Sequence, residues 1–375
     1  MTENYYFDIR PGDYDRFLET FDEKILPNLR SEGKSDDYVR WRSSAYLVDF
    51  LKQPDDRFSR FLPPEPAKKF AQEVYGQRID LGIAGRKVPA GFIVDFVEPR
   101  ADAYAQGLRA EDLILRVGGK GVRDLEENAI IEALTPLAGS RVRIDFLDSR
   151  LRQPHSIEIE SREYYRQTVF AVPTSIPGIA GIEIRQFNRQ TNEDMERALR
   201  EVSAMSPRGL VLDLRGNPGG PPLAALLVSA FFLPNDQVFA YFEGKSRPRS
   251  DLVIPRIPEA FHFDWPMVVL VDEETGSAAE LFSGTLQERG RALVIGTQTA
   301  GQVLLKSLFD LSDGSRLALV VARGHFPDGR PFPFEGVRPD EVLKEPAGDA
   351  LMALAAKYLY LKSEGRVPGG GADAH

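Results

Sequence analysis

The chain has 375 residues, four histidines, no cysteine and a formal net charge of -9. The missing cysteine excludes disulfides, thiolate zinc sites and a cysteine nucleophile, and the acidic balance argues against general nucleic-acid binding. Its 42% hydrophobic and 27% charged residues suit a globular chain, long enough for roughly two or three domains.

Residues 12–75 are expected to be helical. Tyr14, Phe17, Leu18, Phe21, Ile25 and Leu29 recur at steps of three and four, which makes one apolar stripe. Tyr38, Trp41, Ala45, Val48 and Leu51 make a second, and prolines break it in KQPDDRFSRFLPPEP. From 78 to about 160 the texture turns to short strands, with clear alternation in Arg141–Phe146 and Ser156–Ile159. Two short helical pieces, ADAYAQG and LEENAIIEALTPLAG, interrupt them.

From about 165 to 345 strands and helices alternate. GLVLDLRG, PMVVLVDE and ALVIGT read as buried strands, separated by the helices PLAALLVSAFF and SAAELFSGTLQERG. Such a βαβαβ run implies right-handed crossovers and a largely parallel sheet. SLFDLSDGSRLALVVARGHF reads as a hairpin or meander, ALMALAAKYLYLK as a terminal helix, and EGRVPGGGADAH as a disordered tail. No apolar run approaches the roughly 18 residues a membrane span needs. The opening MTENYYFDIRPGDYDRF lacks the apolar region of a secretory leader. No histidines stand at metal-ligand spacing, which argues against a metal site built on histidine.

Three separated blocks then carry a resemblance. VDFLKQPDDRFSRFLPPE is similar to a segment that precedes a PDZ domain. LGIAG with GFIVDFVEPRADAYAQGLRAEDLILRVGGKGV resembles a PDZ domain. VLDLRGNPGG, ETGSAAELFSG, TAGQV and DGSRLALVVARGHFPDGRPFPFEGVRPDEVL resemble the core of the carboxy-terminal processing proteases, the S41 serine peptidases. The resemblance covers roughly residues 45 to 345. It implies an α/β multidomain protein with four parts: an N-terminal helical region (1–76), a PDZ β-barrel-like domain (77–162), a βα-repeat core of the ClpP/crotonase-like type (163–346), and a C-terminal helix with a flexible tail (347–375).

The resemblance also assigns roles. Ser277, in Ser-Ala-Ala-Glu, stands at the nucleophile position; read without the family, the same serine with Glu280 three residues on is a helix capping box. The amides of Gly219 or Gly220 and of Ala278 would form an oxyanion hole, and such donors contribute about 3 kcal/mol each. Leu81, Gly82 and Ile83 would hold a terminal carboxylate while the peptide adds as a strand, with Ile130 and Leu134 as the groove's other wall. The family's Gly-Asp before a PDZ strand is Glu111-Asp112 here, so a changed loop is expected.

The base is the departure. The family lysine lies 25 residues beyond the nucleophile, and that position is Gln302, whose carboxamide has no proton affinity near neutral pH. The family's acid, eleven residues past the serine, is Glu288. Lys306, His325 and Glu335 are substitute candidates. On a straight strand Lys306 would sit about 13 Å beyond Gln302. Two readings follow: a serine endopeptidase with an altered catalytic pair, or an inactive relative that binds peptide tails as an adaptor. Implied partners are unfolded or C-terminally exposed proteins and a candidate homo-oligomer, with no nucleic acid and no integral membrane segment. The resemblance implies no metal or organic cofactor and a periplasmic or cell-envelope location, whereas the lack of a recognisable signal segment leaves the cytoplasm open.

Overall fold

The computed structural model describes residues 3–75, 77–343 and 349–364. It divides into two compact units, one of Met1–Ala71, Val169–Phe187 and Met195–His375, the other of Gln72–Thr168 and Asn188–Asp194.

The larger unit begins with helices α1 (Asp13–Thr20), α2 (Leu26–Ser31) and α3 (Asp36–Leu51), with a π-helical turn at Phe21–Ile25 between the first two. Pro27 accounts for that turn: it has no N–H to give the carbonyl four residues back, so the helical hydrogen-bond register shifts ahead of it. Ser35 caps α3 by accepting the Tyr38 N–H at 3.2 Å. The first apolar stripe is only partly used, since Phe17 and Leu29 are buried while Tyr14 and Leu18 are exposed. Within the expected helical region a short strand, β1 (Arg60–Leu62), precedes α4 (Pro64–Tyr75).

The smaller unit is β-rich. Its strands are β2 (Gln77–Asp80), β3 (Ile83–Val88), β4 (Gly91–Val97), β5 (Leu113–Val117), β6 (Lys120–Gly121), β7 (Arg141–Leu147), β8 (Pro154–Glu160) and β9 (Arg162–Tyr165), with α5 (Asp102–Ala105) and α6 (Glu127–Ala133) between. The main sheet runs β3-β4-β5-β7-β8, and β2 pairs antiparallel with β9. Among the described residues β3 pairs only with β4, so its other edge is open. Phe92, Val94, Ile114, Ile130, Ile144 and Phe146 fill the core. Glu111 adopts a backbone conformation that glycine favours, at φ 72, at a cost in strain. Asp112 behind it is buried and accepts the Arg109 and Ser149 N–H groups.

The rest of the larger unit is the alternating run. Its elements are β10 (Val169–Val172), β11 (Ile179–Ile184), α7 (Thr191–Ser203), β12 (Gly209–Asp213), α8 (Pro222–Ser229), β13 (Val238–Gly244), β14 (Arg247–Val253), β15 (Met267–Val271), α9 (Ala278–Glu288), β16 (Leu293–Gly296), β17 (Leu304–Asp310), β18 (Arg316–His325), β19 (Glu341–Val342) and α10 (Asp349–Ser363). One sheet has the order β10-β11-β12-β15-β16-β19, parallel from β11 onward. Leu210, Leu212, Val269 and Val294 face one core with α8 and α9, while Val211, Val268, Leu270 and Ile295 face α10. Burial on both faces explains why these strands lack polar alternation. A second sheet runs β1-β18-β13-β14, with β17 on the other edge of β18. The aromatic start of the chain packs there: Tyr5, Phe7 and Ile9 lie against Leu319 and Val321, and Tyr5 donates to Asp56 at 2.6 Å. No described helix is long and apolar enough to cross a membrane.

Candidate active site

Open α/β sheets place their sites beyond the carboxyl ends of the strands. Three loops meet there, after β12 (214–220), after β15 (272–278) and after β16 (297–302). Backbone hydrogen bonds and the Thr275 hydroxyl hold them together. Gly276 N–H donates to Asn217 O at 2.9 Å, Thr275 Oγ1 to Leu214 O at 2.9 Å, and Ala300 N–H to Thr275 O at 2.9 Å.

Ser277 stands at the entry to α9 with φ 54 and ψ -116. That lies outside the regions an L-residue ordinarily occupies, and strain of this kind persists only where surrounding structure imposes it. Gly219 is part of that imposition. A Cβ on Gly219 would lie 2.7 Å from Ser277 Cβ, 2.7 Å from Ala278 N and 2.5 Å from Gly276 O, so only glycine lets the two loops touch. Gly220 is equally hemmed, since a Cβ there would sit 1.9 Å from Phe187 O.

Glu280 ties the serine loop to the loop that carries Gln302. It is fully buried, and its two carboxylate oxygens accept four hydrogen bonds: Ser277 N–H at 2.7 Å, Thr299 Oγ1 at 2.6 Å, Gly301 N–H at 2.7 Å and Gln302 N–H at 2.7 Å. Burial pushes its pKa above the usual carboxylate range, against the pull of those four donors. The capping box expected of Ser277 and Glu280 is present in both halves, the Ser277 side chain facing the Glu280 N–H and the Glu280 carboxylate accepting the Ser277 N–H, and the same carboxylate also holds the third loop.

The structure brings Ser277, Ala278, Gly219, Gly220 and Gln302 together. The Gln302 carboxamide carbon would be 3.6 Å from a Cβ on Gly276, beside the serine. The two glycines are not equivalent. Gly219 N–H donates to Asn217 Oδ1 at 2.8 Å, and Asn217, fully buried, donates in turn to Ile184 O at 2.7 Å. Among the described residues the Gly220 and Ala278 N–H groups have no hydrogen-bond partner.

Glu288 is not brought in. It ends α9, about 16 Å along the helix axis from Ser277 at 1.5 Å per residue, and its carboxylate faces Arg330 at 3.5 Å. His325 stacks on Tyr241 with ring centroids 4.7 Å apart, and Nδ1 lies 3.1 Å from Arg323 O. Glu335 sits exposed in a turn. Among the described residues no lysine, histidine or carboxylate side chain hydrogen-bonds to the Ser277 hydroxyl.

Lys306 differs from the other candidates. Its amine lies 5.0 Å from the centroid of Phe58 and makes no ion pair among the described residues. Burial drives its pKa down, Arg60 adds to the effect, and Asp56 opposes it. The straight-strand distance does not apply to it. Leu304 N–H closes a tight turn onto Gln302 O at 2.7 Å, and the β17–β18 register shifts between Leu305 and Lys306.

In the smaller unit, Leu81 N–H donates to Leu134 O at 3.2 Å, Gly82 N–H to the Asp80 carboxylate at 2.7 Å, and Ile83 begins the ladder with β4. The groove-wall expectation is corrected here. Leu81, Ile130 and Leu134 are buried in the core of the unit, and the exposed apolar side chain of α6 is Ile131.

Asn217, Thr299 and the second role of Glu280 were not singled out from sequence. The signal available for them was the polar residue inside each Gly-rich or Gly-flanked loop, NPGG and TAG. Among the described residues no group of histidine and carboxylate side chains is placed to hold a metal.

The chain matches the peptidase family S41 over residues 178–343 and the PDZ domain over 69–145. A carboxyl-terminal-processing protease of Picosynechococcus sp. is 27% identical over 340 residues, covering 86% of this chain and 78% of that protein. The carboxy-terminal processing protease CtpA of Bacillus subtilis is 24% identical over 338 residues, covering 89% and 72%. In fold the chain is similar to a photosystem II D1 C-terminal processing protease, with TM-score 0.53, 24% identity and coverage of 96% and 94%. It is also similar to the tricorn protease, with TM-score 0.55, 16% identity and coverage of 95% and 35%. The chain thus carries a PDZ pattern followed by an S41 peptidase pattern, and over most of its length it is similar to the carboxy-terminal processing proteases.

Proposed function

We propose that Ser277 is the nucleophile of an endopeptidase that cleaves C-terminally exposed or unfolded proteins. The observation that carries this is the contact of Gly219 with Ser277 and Ala278, which sets a strained serine between two glycine-lined loops. The Ser277 hydroxyl adds to the scissile carbonyl, and the oxyanion is taken by the amides of Ala278 and Gly220. Gly219 is the less suited of the two glycines, because Asn217 already takes its N–H. Collapse expels the amine of the downstream segment, and water then hydrolyses the acyl-serine.

A base must take the serine proton and return it to the leaving amine. Gln302 cannot. Lys306 suits the role by environment: a desolvated amine is held closer to neutrality than a hydrated one, and neutral amine is the basic form. Gln302 is then a positioning group that donates or accepts beside the serine. The second reading, an inactive peptide-binding relative, is favoured by the same Gln302.

Four proteins assayed on an unfolded protein substrate separate the readings: wild type, Ser277→Ala, Lys306→Met and Gln302→Lys. Cleavage by wild type that disappears with Ser277→Ala and falls at least 100-fold with Lys306→Met supports the full proposal. Cleavage insensitive to Lys306→Met removes Lys306 from it. Cleavage only in Gln302→Lys establishes the adaptor reading. An envelope location follows from the family resemblance and is tested by cell fractionation.

A further inference from the structure

A PDZ-type turn holds a terminal carboxylate with consecutive backbone amides. In this chain one of those amides is already spoken for by an internal carboxylate. Gly82 N–H donates at 2.7 Å to Asp80 Oδ1, and the same oxygen accepts the hydroxyl of Tyr164. The next amide back, Leu81 N–H, goes to Leu134 O at the end of α6. The turn cannot easily retreat from this arrangement. Gly82 has φ 72, a Cβ there would be 2.2 Å from Ala101 Cβ and 3.1 Å from Glu98 Cβ, and Gly82 O accepts the Glu98 N–H at 2.8 Å. Tyr164, which pins Asp80, is itself buried.

A second carboxylate stands behind the turn. Glu98 is only 2% exposed, and its Oε2 has no hydrogen-bond partner among the described residues. A peptide carboxylate arriving at Gly82 would therefore meet an occupied donor and like charge. Meanwhile the open edge of β3 offers its own backbone to a peptide strand whatever group ends that strand.

We propose that Asp80 is an internal competitor for the substrate's terminal carboxylate, so that a C-terminus docks in the turn only by displacing it. Asp80 is then a specificity-determining residue. It suppresses the advantage of a free carboxylate and leaves strand addition along β3 as the main source of affinity. This rests on the reading of the unit as a peptide-binding groove.

The test uses the full chain carrying Ser277→Ala, to prevent cleavage. Two fluorescein-labelled ten-residue peptides with the same three apolar C-terminal residues, one a free acid and one a carboxamide, are titrated by anisotropy. With Asp80 present the two affinities agree within about threefold. Asp80→Ala raises the affinity of the free acid about tenfold or more and leaves the carboxamide within threefold. Tyr164→Phe, which frees Asp80 from one of its two partners, moves the same ratio in the same direction by less. Asp80→Asn keeps an acceptor for Gly82 and so preserves the turn if Asp80→Ala does not fold; it still raises the acid-to-amide ratio at least threefold. An unchanged ratio in the folded Asp80 variants, or equal weakening of both peptides as expected of a residue that only shapes the turn, overturns the inference and leaves the groove reading standing. Failure of both peptides to bind any variant overturns the groove reading, and the inference with it.

Discussion

Replacing Glu280 by alanine tests whether the site is held together in the way its hydrogen bonds suggest. The carboxylate accepts from three backbone N–H groups and the Thr299 hydroxyl, each at 2.6 or 2.7 Å, inside a fully buried environment. Removing it leaves four donors without a partner, and a buried unsatisfied donor costs about 1 kcal/mol or more. The gross loss is then about 4 kcal/mol. One term opposes it: burial raises the Glu280 pKa, so the charge is itself costly to keep and its removal returns part of the loss. A net destabilisation of about 3 kcal/mol is expected. Both tryptophans, Trp41 and Trp265, lie in the larger unit, so urea unfolding followed by tryptophan fluorescence reports the unit that contains Glu280. Glu280→Gln keeps the volume and one acceptor oxygen but turns an NH₂ toward donors, so it should fall between wild type and alanine. Peptidase activity should drop in both variants, because Ser277 and Gln302 are each anchored through this carboxylate. A Glu280→Ala protein within about 1 kcal/mol of wild type would refute the clamp, since even one orphaned donor costs that much.

Ser277→Gly should abolish cleavage yet stabilise the larger unit by about 1 kcal/mol, because glycine relieves a strained backbone worth about 1–3 kcal/mol at some cost in chain entropy; calorimetry would show the melting temperature rising by a few degrees. Glu111→Gly should likewise stabilise the smaller unit by about 0.5–1 kcal/mol, as Glu111 is exposed and sits at φ 72; a lowered denaturant midpoint would contradict that. Asp313 accepts from Ser315, from Ser315 N–H and from the Trp41 indole, and these bonds hold its pKa down to about 2. A folded pKa below the unfolded one contributes stability above the unfolded value, and that contribution is lost as pH falls from about 4 toward 2. The melting-temperature gap between wild type and Asp313→Asn should therefore be flat above pH ~5 and close toward pH ~2; a gap that stays constant through that range would count against it.

Much of the fold was legible because its cause is local. Runs such as VLDL and VVLV are apolar throughout since both faces of their sheet are covered, one by α8 and α9 and the other by α10. Ser277 and the two glycines were legible for a related reason, since glycine pairs and a serine before a helix are what close approach of two loops demands. What the sequence did not reveal depends on where side chains point. Gly219 and Gly220 look interchangeable until the Asn217 side chain is seen to take one of the two amides. Ile130 and Leu134 carry the periodicity of a groove wall, yet the same periodicity describes the inward face of α6, and that is the face they occupy.

Counted spacing becomes distance only through the backbone that lies between two residues. Eleven residues from Ser277 to Glu288 look modest, but a helix converts them into about 16 Å of rigid rise that no side chain spans. Four residues from Gln302 to Lys306 look prohibitive on an ideal strand. A tight turn at Gln302–Leu304 and a register shift at Leu305–Lys306 mean that the segment is not one. A counted interval is a distance only where the backbone is regular, and regular backbone is what catalytic loops lack. The amine at Lys306 is therefore better judged by its surroundings than by its interval. Lys306 is partly buried, its amine faces the Phe58 ring, and desolvation lowers its pKa, which favours the neutral amine relative to that of a hydrated lysine.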